Sequence, residues 1–406
     1  MTLGKKIRAI RHRKAWSQET LAAKAKLKTL TLRDIENGKT QPRFQTIQKI
    51  ARALDVSPEE LTASRMSGRL GTDDLKRREF LQLLSVIGGT LTVPMNLIDW
   101  ERLDDAFDHP GRLNAAAFAD LSAVNRGLWG TYRAVRDKRT VLGSVLSHLG
   151  LLEDALDRVR ADVPRRELCA LVSDLTQLGG EIFFEAGRYT DAGQCYAVAV
   201  SAAAEASVYD LWACALVRNA FLPIYEQQYR RALLPLQAAS TLAGKGDPTL
   251  TTRHWVAMVT ADAYAGLGAE QKCRAELDRA ADVCNIPGAT GTNGTWLRFH
   301  DDRIAEARGS CLAKLGLMDL AEPILEEALA KHPNPTRRRG MVLSDLTFVA
   351  AARGDVDRVC TLADEVISIA GSGSAGVLSR KLGFLYDSGH GRVEALAARI
   401  NTLAGE

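Results

Sequence analysis

Apolar side chains recur at helical spacing from the first residues onward. Leu3, Ile7 and Ile10 mark one face of an amphipathic helix whose other faces carry Lys5, Lys6, Arg8, Arg11, Arg13 and Lys14. Ser17 is placed as the N-cap of a second helix opening Gln18-Glu19-Thr20-Leu21-Ala22-Ala23, and a turn over 24–27 leads to a third, 28–37, with Leu32 and Ile35 inward. Gly38 and Pro42 terminate it. Ile47, Ile50, Ala51 and Leu54 predict a fourth helix. Val56 and Leu61 predict a fifth, opened by Ser57-Pro58-Glu59-Glu60, a capping box with proline in the first helical position.

Beyond Trp100 almost every stretch keeps the helical period, and no period-two run is bounded by hairpin turns, so the whole chain reads as all-α. Short amphipathic helices sustained over some 300 residues call for a search for repeats. Residues 173–206 carry Gly180, Phe183, Gly187-Arg188-Tyr189, Ala192, Tyr196 and Ala199; residues 302–335 carry Gly309, Leu312, Gly316, Ala321, Leu325, Ala328 and Pro333. Aligned on a small or compact residue of the second helix, five copies fall at Ala192, Ala232, Cys273, Ala321 and Val359, with steps of 40, 41, 48 and 38. Residues 103–165 predict one or two additional helical pairs, such as 115–135 and 141–159, and 377–386 and 393–403 a terminal cap. The glycine-rich stretches 288–294 and 371–376 read as inter-repeat loops.

Charge refines this division. The 406 residues carry a net +4, but residues 1–67 alone carry +9 and the remainder −5, an asymmetry that points to nucleic acid at one end. The organisation is therefore a head over 1–67, a linker over 68–100 with a docking helix, and a repeat body over 101–406. Seven cysteines, at 169, 195, 214, 273, 284, 311 and 360, include no CxxC pair, and each sits in an apolar helical pattern as a small buried hydrophobe. Reduced thiols, and basic N-terminal residues with no apolar stretch after them, fit a cytoplasmic protein. Lys76-Arg77-Arg78-Glu79-Phe80-Leu81 and the apolar run behind it imitate a twin-arginine signal. Its position after a complete domain, and its interruption by polar residues, favour the linker helix over export or membrane attachment.

The run WSQETLAAKAKLKTLTLRDIENGKTQPRFQTIQKIARALDVSPEEL resembles the phage repressor and Cro type of helix-turn-helix, the xenobiotic response element (XRE) family. Gln18, Leu21-Ala22, Ile35-Glu36-Asn37-Gly38-Lys39, Pro42, Ile50-Ala51, Ala53-Leu54, Val56 and Leu61 carry the likeness. It implies a five-helix head whose third helix enters the major groove, with a homodimer reading an inverted repeat. By that resemblance Gln18 contacts the DNA backbone, with a base at the groove edge as a second partner left open, while Lys28, Thr29, Leu30, Thr31, Arg33 and Asp34 occupy the exposed part of the reading helix. Lys39, Thr40 and Arg43 hold phosphates, and Arg11 and Glu36 form a structural ion pair. Leu30 and Asp34 stand where long amides are common in the family. Leucine meets only a thymine methyl and a carboxylate accepts only from a base donor such as cytosine N4; either residue is equally compatible with touching no base.

The body resembles degenerate tetratricopeptide (TPR) repeats, although their period is about 34 residues. By the convention that the first helix of each hairpin faces inward, Asp174, Gln177, Glu181, Asn219, Tyr225, Trp255, Asp262, Arg303 and Glu306 are candidates to line a concave groove, with a packed core and a solvated face as the alternative. No nucleophile motif, cofactor motif or metal cluster emerges, His300-Asp301-Asp302 included, because adjacent residues diverge around a helix. Head and body together resemble bacterial transcription regulators, among them peptide-sensing quorum regulators. The resemblance implies a double-stranded DNA partner, dimerisation through the body and a signal peptide or partner protein in the groove. The competing expectation is an interaction scaffold tethered to DNA by its head.

Overall fold

In the computed structural model the described residues are 7, 8, 10, 11, 14, 16–37, 44–54, 56, 98, 99, 101–103, 105, 109, 113–135, 137–286, 297, 299, 303–370, 375–387 and 391–405. The expected fifth helix of the head, residues 76–97 of the 76–98 segment, the loop residues Lys39, Thr40 and Arg43, the 288–294 loop and His300-Asp301-Asp302 lie outside them. The chain divides into two compact units, Met1–Leu83 and Leu84–Glu406.

In the first unit Ile7, Arg8, Ile10 and Arg11 are helical, followed by α1 (Gln18–Lys24), α2 (Thr29–Glu36) and α3 (Phe44–Leu54). Ser17 caps α1, its side-chain oxygen accepting from the Thr20 amide at 3.1 Å. The α1–α2 turn passes through Lys26 at φ 53°, a left-handed conformation that a side chain adopts at a cost. Ile7, Leu21, Ala22, Ala25, Leu32, Ile35, Ile50, Ala51 and Leu54 close one core; the helical period marks Ile7, Leu32, Ile35, Ile50, Ala51 and Leu54 among them, whereas Ala25 falls in the expected turn and is nonetheless buried.

The second unit is helical throughout its described residues. α4 (Ala115–Ala134), capped by Asn114, and α5 (Leu142–Arg158) precede five hairpins: α6 (Asp162–Glu185) with α7 (Tyr189–Ala206), α8 (Tyr209–Tyr225) with α9 (Tyr229–Ala243), α10 (Thr252–Gly266) with α11 (Glu270–Ala281), α12 (Ile304–Lys314) with α13 (Met318–Ala330), and α14 (Arg337–Ala352) with α15 (Val356–Ala370). Each first helix packs on the next first helix, and each second helix on the first helix that follows, which is the neighbour-only logic of a solenoid. α16 (Ala375–Lys381), a 3-10 turn over Gly383–Asp387 and α17 (Gly391–Gly405) end the array. The helix expected over 377–386 is thus split, its second half wound as 3-10.

The repeat alignment read from sequence falls in one structural register. Ala192, Ala232, Cys273, Ala321 and Val359 are each the fourth residue of the second helix, and none is more than 3% exposed. Two residues before each of those helices the backbone turns left-handed, at Gly187, Gln227, Gly268, Gly316 and Gly354. Small residues on the first helices allow close approach: a Cβ on Gly180 would collide with the Tyr196 ring, and one on Gly309 would lie 2.7 Å from Leu325. Five cysteines are buried as expected and Cys360 is half-buried. Cys284 departs from the expectation and is exposed, because it falls in a 3-10 turn after α11 rather than on a packed helix face.

Candidate functional sites

In the head, the amphipathic period of α2 decides what is presented. Leu32, Ile35 and Glu36 face the core, whereas Lys28, Leu30, Thr31 and Arg33 are exposed and Thr29 and Asp34 half-buried. Leu30, at 58% exposure, is a large aliphatic side chain left in solvent on the first turn. Lys28 is the N-cap residue but makes no side-chain capping bond.

Behind that face Glu36 is a hub. Arg11 Nε and Nη2 donate to its two carboxylate oxygens, Gln18 Nε2 donates at 2.7 Å, and Arg8 Nε reaches it at 3.4 Å while Arg8 Nη2 donates to Asn37 Oδ1. Arg11 also donates through Nη1 to the Trp16 carbonyl at 2.8 Å. Burial alone would push the Glu36 carboxyl up, but the hydrogen bonds from Arg11 and Gln18 outweigh it and hold the group below its ordinary value. Gln18 is thereby oriented, because a carboxylate only accepts and must face the amide nitrogen. Arg8 was not singled out by the sequence; its spacing of three from Arg11, on the face turned toward Glu36, was the available signal.

In the body, four of the nine groove candidates join one internal network. Asp174 accepts from Asn125 Nδ2 and Trp129 Nε1, both at 2.8 Å, which ties α6 to α4. Arg218 of α8, 1% exposed, donates to Gln177 Oε1 at 2.7 Å and Glu181 Oε1 at 3.1 Å, and its guanidinium lies 5.5 Å from the Trp129 ring centre and 4.9 Å from that of Trp255. Asp174, Gln177 and Trp255 are buried, so they face packed helices rather than an open groove; their amide, carboxylate and indole groups are held by neighbouring helices. Burial pushes the Asp174 carboxyl up to about 6, against the lowering effect of its Trp129 and Asn125 hydrogen bonds and the Arg218 charge. Arg218, Asn125 and Trp129 were missed in the sequence. A lone arginine inside the apolar run LWACALVRNAFLPIY was the signal for the first.

The remaining candidates are half-buried. Tyr225 joins an aromatic cluster, its ring centre 4.6 Å from Phe184, with Tyr189 and Phe221 adjoining. Asp262 pairs with Lys314, and Glu306 pairs with Arg338 at 2.6 Å and His332 at 2.7 Å. Arg303 stands at the N-cap of α12. The Asn219 side chain has no hydrogen-bond partner among the described residues. Among those residues no group of histidines, cysteines and carboxylates is arranged to hold a metal ion, and no helix is long and apolar enough to cross a membrane.

Comparison with known proteins places these observations. Residues 7–61 match the helix-turn-helix family HTH_3. No curated protein matches the chain. Among solved structures, the chain is similar to a Rap protein complexed with Competence and Sporulation Factor, at 14% identity and a TM-score of 0.50, over 80% of this chain and 87% of that one. A second similarity is to PlcR of Bacillus thuringiensis in complex with the peptide PapR7 and DNA, at 10% identity and a TM-score of 0.32, over 73% of this chain and 99% of that one. The chain therefore carries an N-terminal helix-turn-helix DNA-binding domain on an all-helical repeat array, a fold shared with the Rap protein.

Proposed function

We propose that the protein is a dimeric transcription regulator that reads an inverted-repeat operator through α2 and senses a peptide or protein ligand through its repeat body. The observation that carries this reading is the outward face of α2, where Lys28, Leu30, Thr31 and Arg33 stand exposed on a helix-turn-helix frame. Gln18, Thr29 and Asp34 complete the base- and backbone-contacting set, with Lys39, Thr40 and Arg43 as phosphate contacts in the loop that follows. Much of the affinity is then phosphate-borne and falls steeply with salt.

The ligand reading draws support from the fold shared with a Rap protein whose structure holds a bound factor. Buried groups cannot meet a ligand, which narrows the contact set to Asn219, Tyr225, Asp262, Arg303, Glu306 and the edge of Glu181. Asn219 is the side chain best suited to hold an extended peptide backbone, since an amide both donates and accepts. A ligand that binds two dimer shapes unequally would change half-site spacing, and with it operator affinity, without touching the heads.

The test is selection of binding sequences from random duplex DNA with the full chain, followed by footprinting and light scattering. A dimer protecting two half-sites about one helical turn apart is expected. A strict monomer that binds every duplex equally would overturn the reading.

A further inference from the structure

The repeat array is tied to itself across its length. In a solenoid each repeat meets only its neighbours, so contacts between the first hairpin and the end of the array need their own explanation. Here α6 packs on α16 as well as on its neighbours. Gly376 of α16 lies against the turn after α6 so closely that a Cβ there would come 2.7 Å from the Glu185 carbonyl oxygen and 2.8 Å from the Gly187 nitrogen. Tyr189 donates its hydroxyl to the Gly376 carbonyl at 3.3 Å, a contact spanning 187 residues of chain. Arg380 donates to the Tyr225 carbonyl at 3.1 Å and lies 5.0 Å from the centre of the Tyr189 ring. Arg337, at the start of α14, meets the buried carboxylate of Glu185 at 2.6 Å.

We propose that these contacts form a clasp that holds the array closed, joining its first two hairpins to α14 and α16, and that release of the clasp is the conformational step by which the array changes curvature. The chemistry is suited to a reversible catch. Among the described residues its polar part consists of one ion pair, two hydrogen bonds to backbone carbonyls and one cation over a ring, beside the close approach of Gly376 to the turn after α6. α16 is independently fastened to α14, where Lys381 meets Asp345 at 2.6 Å, so opening would move α14 and α16 together away from α6 and α8. A ligand that favours the open array would bind better when the clasp is weakened, and one that favours the closed array would bind worse. The inference concerns the body alone and does not depend on the DNA or peptide reading.

Hydrogen exchange on the full-length chain tests it. Gly376→Val, which fills the contact, and Arg380→Ala, an exposed position that the folded array tolerates, should each speed exchange by about tenfold in two separated segments at once, 183–192 and 375–387, with helical content unchanged. Arg337→Glu should do the same, and combining it with Glu185→Arg should restore protection. If exchange rises only in the mutated segment, or neither segment changes in Arg380→Ala, the two ends are not coupled and the clasp is wrong. Failure of Gly376→Val to fold would leave Arg380→Ala and the charge swap to decide.

Discussion

Arg11 grips Glu36 with two parallel hydrogen bonds, Nε to Oε1 at 2.7 Å and Nη2 to Oε2 at 2.9 Å, while both residues are at most 5% exposed. The pair joins the first helical segment of the head to the end of α2, and through Gln18 it also fixes the start of α1. Removing one partner strands a buried charge, so Arg11→Met should destabilise the head by about 3–5 kcal/mol. Glu36→Gln should cost less, because an amide oxygen still accepts from Arg11.

The same pair sets an acid response. Because the Glu36 carboxyl is held below its ordinary value in the folded head, its contribution to stability is complete above the unfolded value of about 4.3 and is lost as pH falls through the folded value. The protection factors of segment 18–36, that is, exchange corrected for the intrinsic slowing of amide exchange in acid, should therefore fall on acidification in the wild type, and that acid-dependent loss should be missing in Glu36→Gln. An identical acid profile in both would remove Glu36 as its source.

Four of the five hairpins turn through a left-handed glycine, and the second does so through Gln227 at φ 57°. A side chain there costs about 1 kcal/mol that glycine avoids. Gln227→Gly should raise the melting temperature of the body by about 2–4 °C, while Gly316→Ala should lower it by a similar amount. Calorimetry on the two variants checks both signs.

That register shows what was legible. The small-residue alignment located all five second helices because close packing of a helical pair demands a small or compact side chain at the same place in every copy, and Ala192 and Ala321 met that demand in recognisable surroundings. The helical period likewise located α2 and α4, and period together with the Ser17 cap located α1. The interior of the body was less legible. Asp174, Gln177 and Glu181 look from the sequence like a polar stripe on a helix facing a groove, yet three of their partners, Asn125, Trp129 and Arg218, lie 37 to 49 residues away on other helices. Nothing local distinguishes a polar stripe facing water from one facing another helix's polar stripe. The clasp was invisible for the same reason, since its partners are separated by more than 150 residues.

Asp174 yields a second pH response, opposite in sign to that of Glu36. Its carboxyl titrates at about 6 in the folded body against about 3.9 unfolded, so the folded state binds the extra proton between those values and stability falls as pH rises through that window. Because Trp129 donates directly to this carboxylate, its indole should report the event. Fluorescence of the wild-type chain should show an inflection near pH 6 that disappears in Asp174→Asn. If the inflection persists, another group is titrating beside an indole.

The exposed leucine of α2 and the arginine that follows that helix should fail in different ways. A guanidinium facing a phosphate gains from released counterions whatever the sequence, so Arg43→Ala, in the loop after α2, should weaken binding to all duplexes and reduce the salt slope by about one. Leu30 has no donor or acceptor, so its one route to sequence discrimination is contact with a thymine methyl. Replacing thymine by uracil in the selected half-site removes that methyl and should weaken wild-type binding by about 0.8 kcal/mol, roughly fourfold, at one position. Leu30→Ala should bind the thymine and uracil duplexes alike there, whereas Arg43→Ala should retain the difference. Fluorescence anisotropy on the two duplexes at several salt concentrations separates the roles. If uracil is tolerated equally by the wild type at every position, Leu30 does not read a base, and sequence preference must come from its polar neighbours Thr29, Thr31 and Asp34.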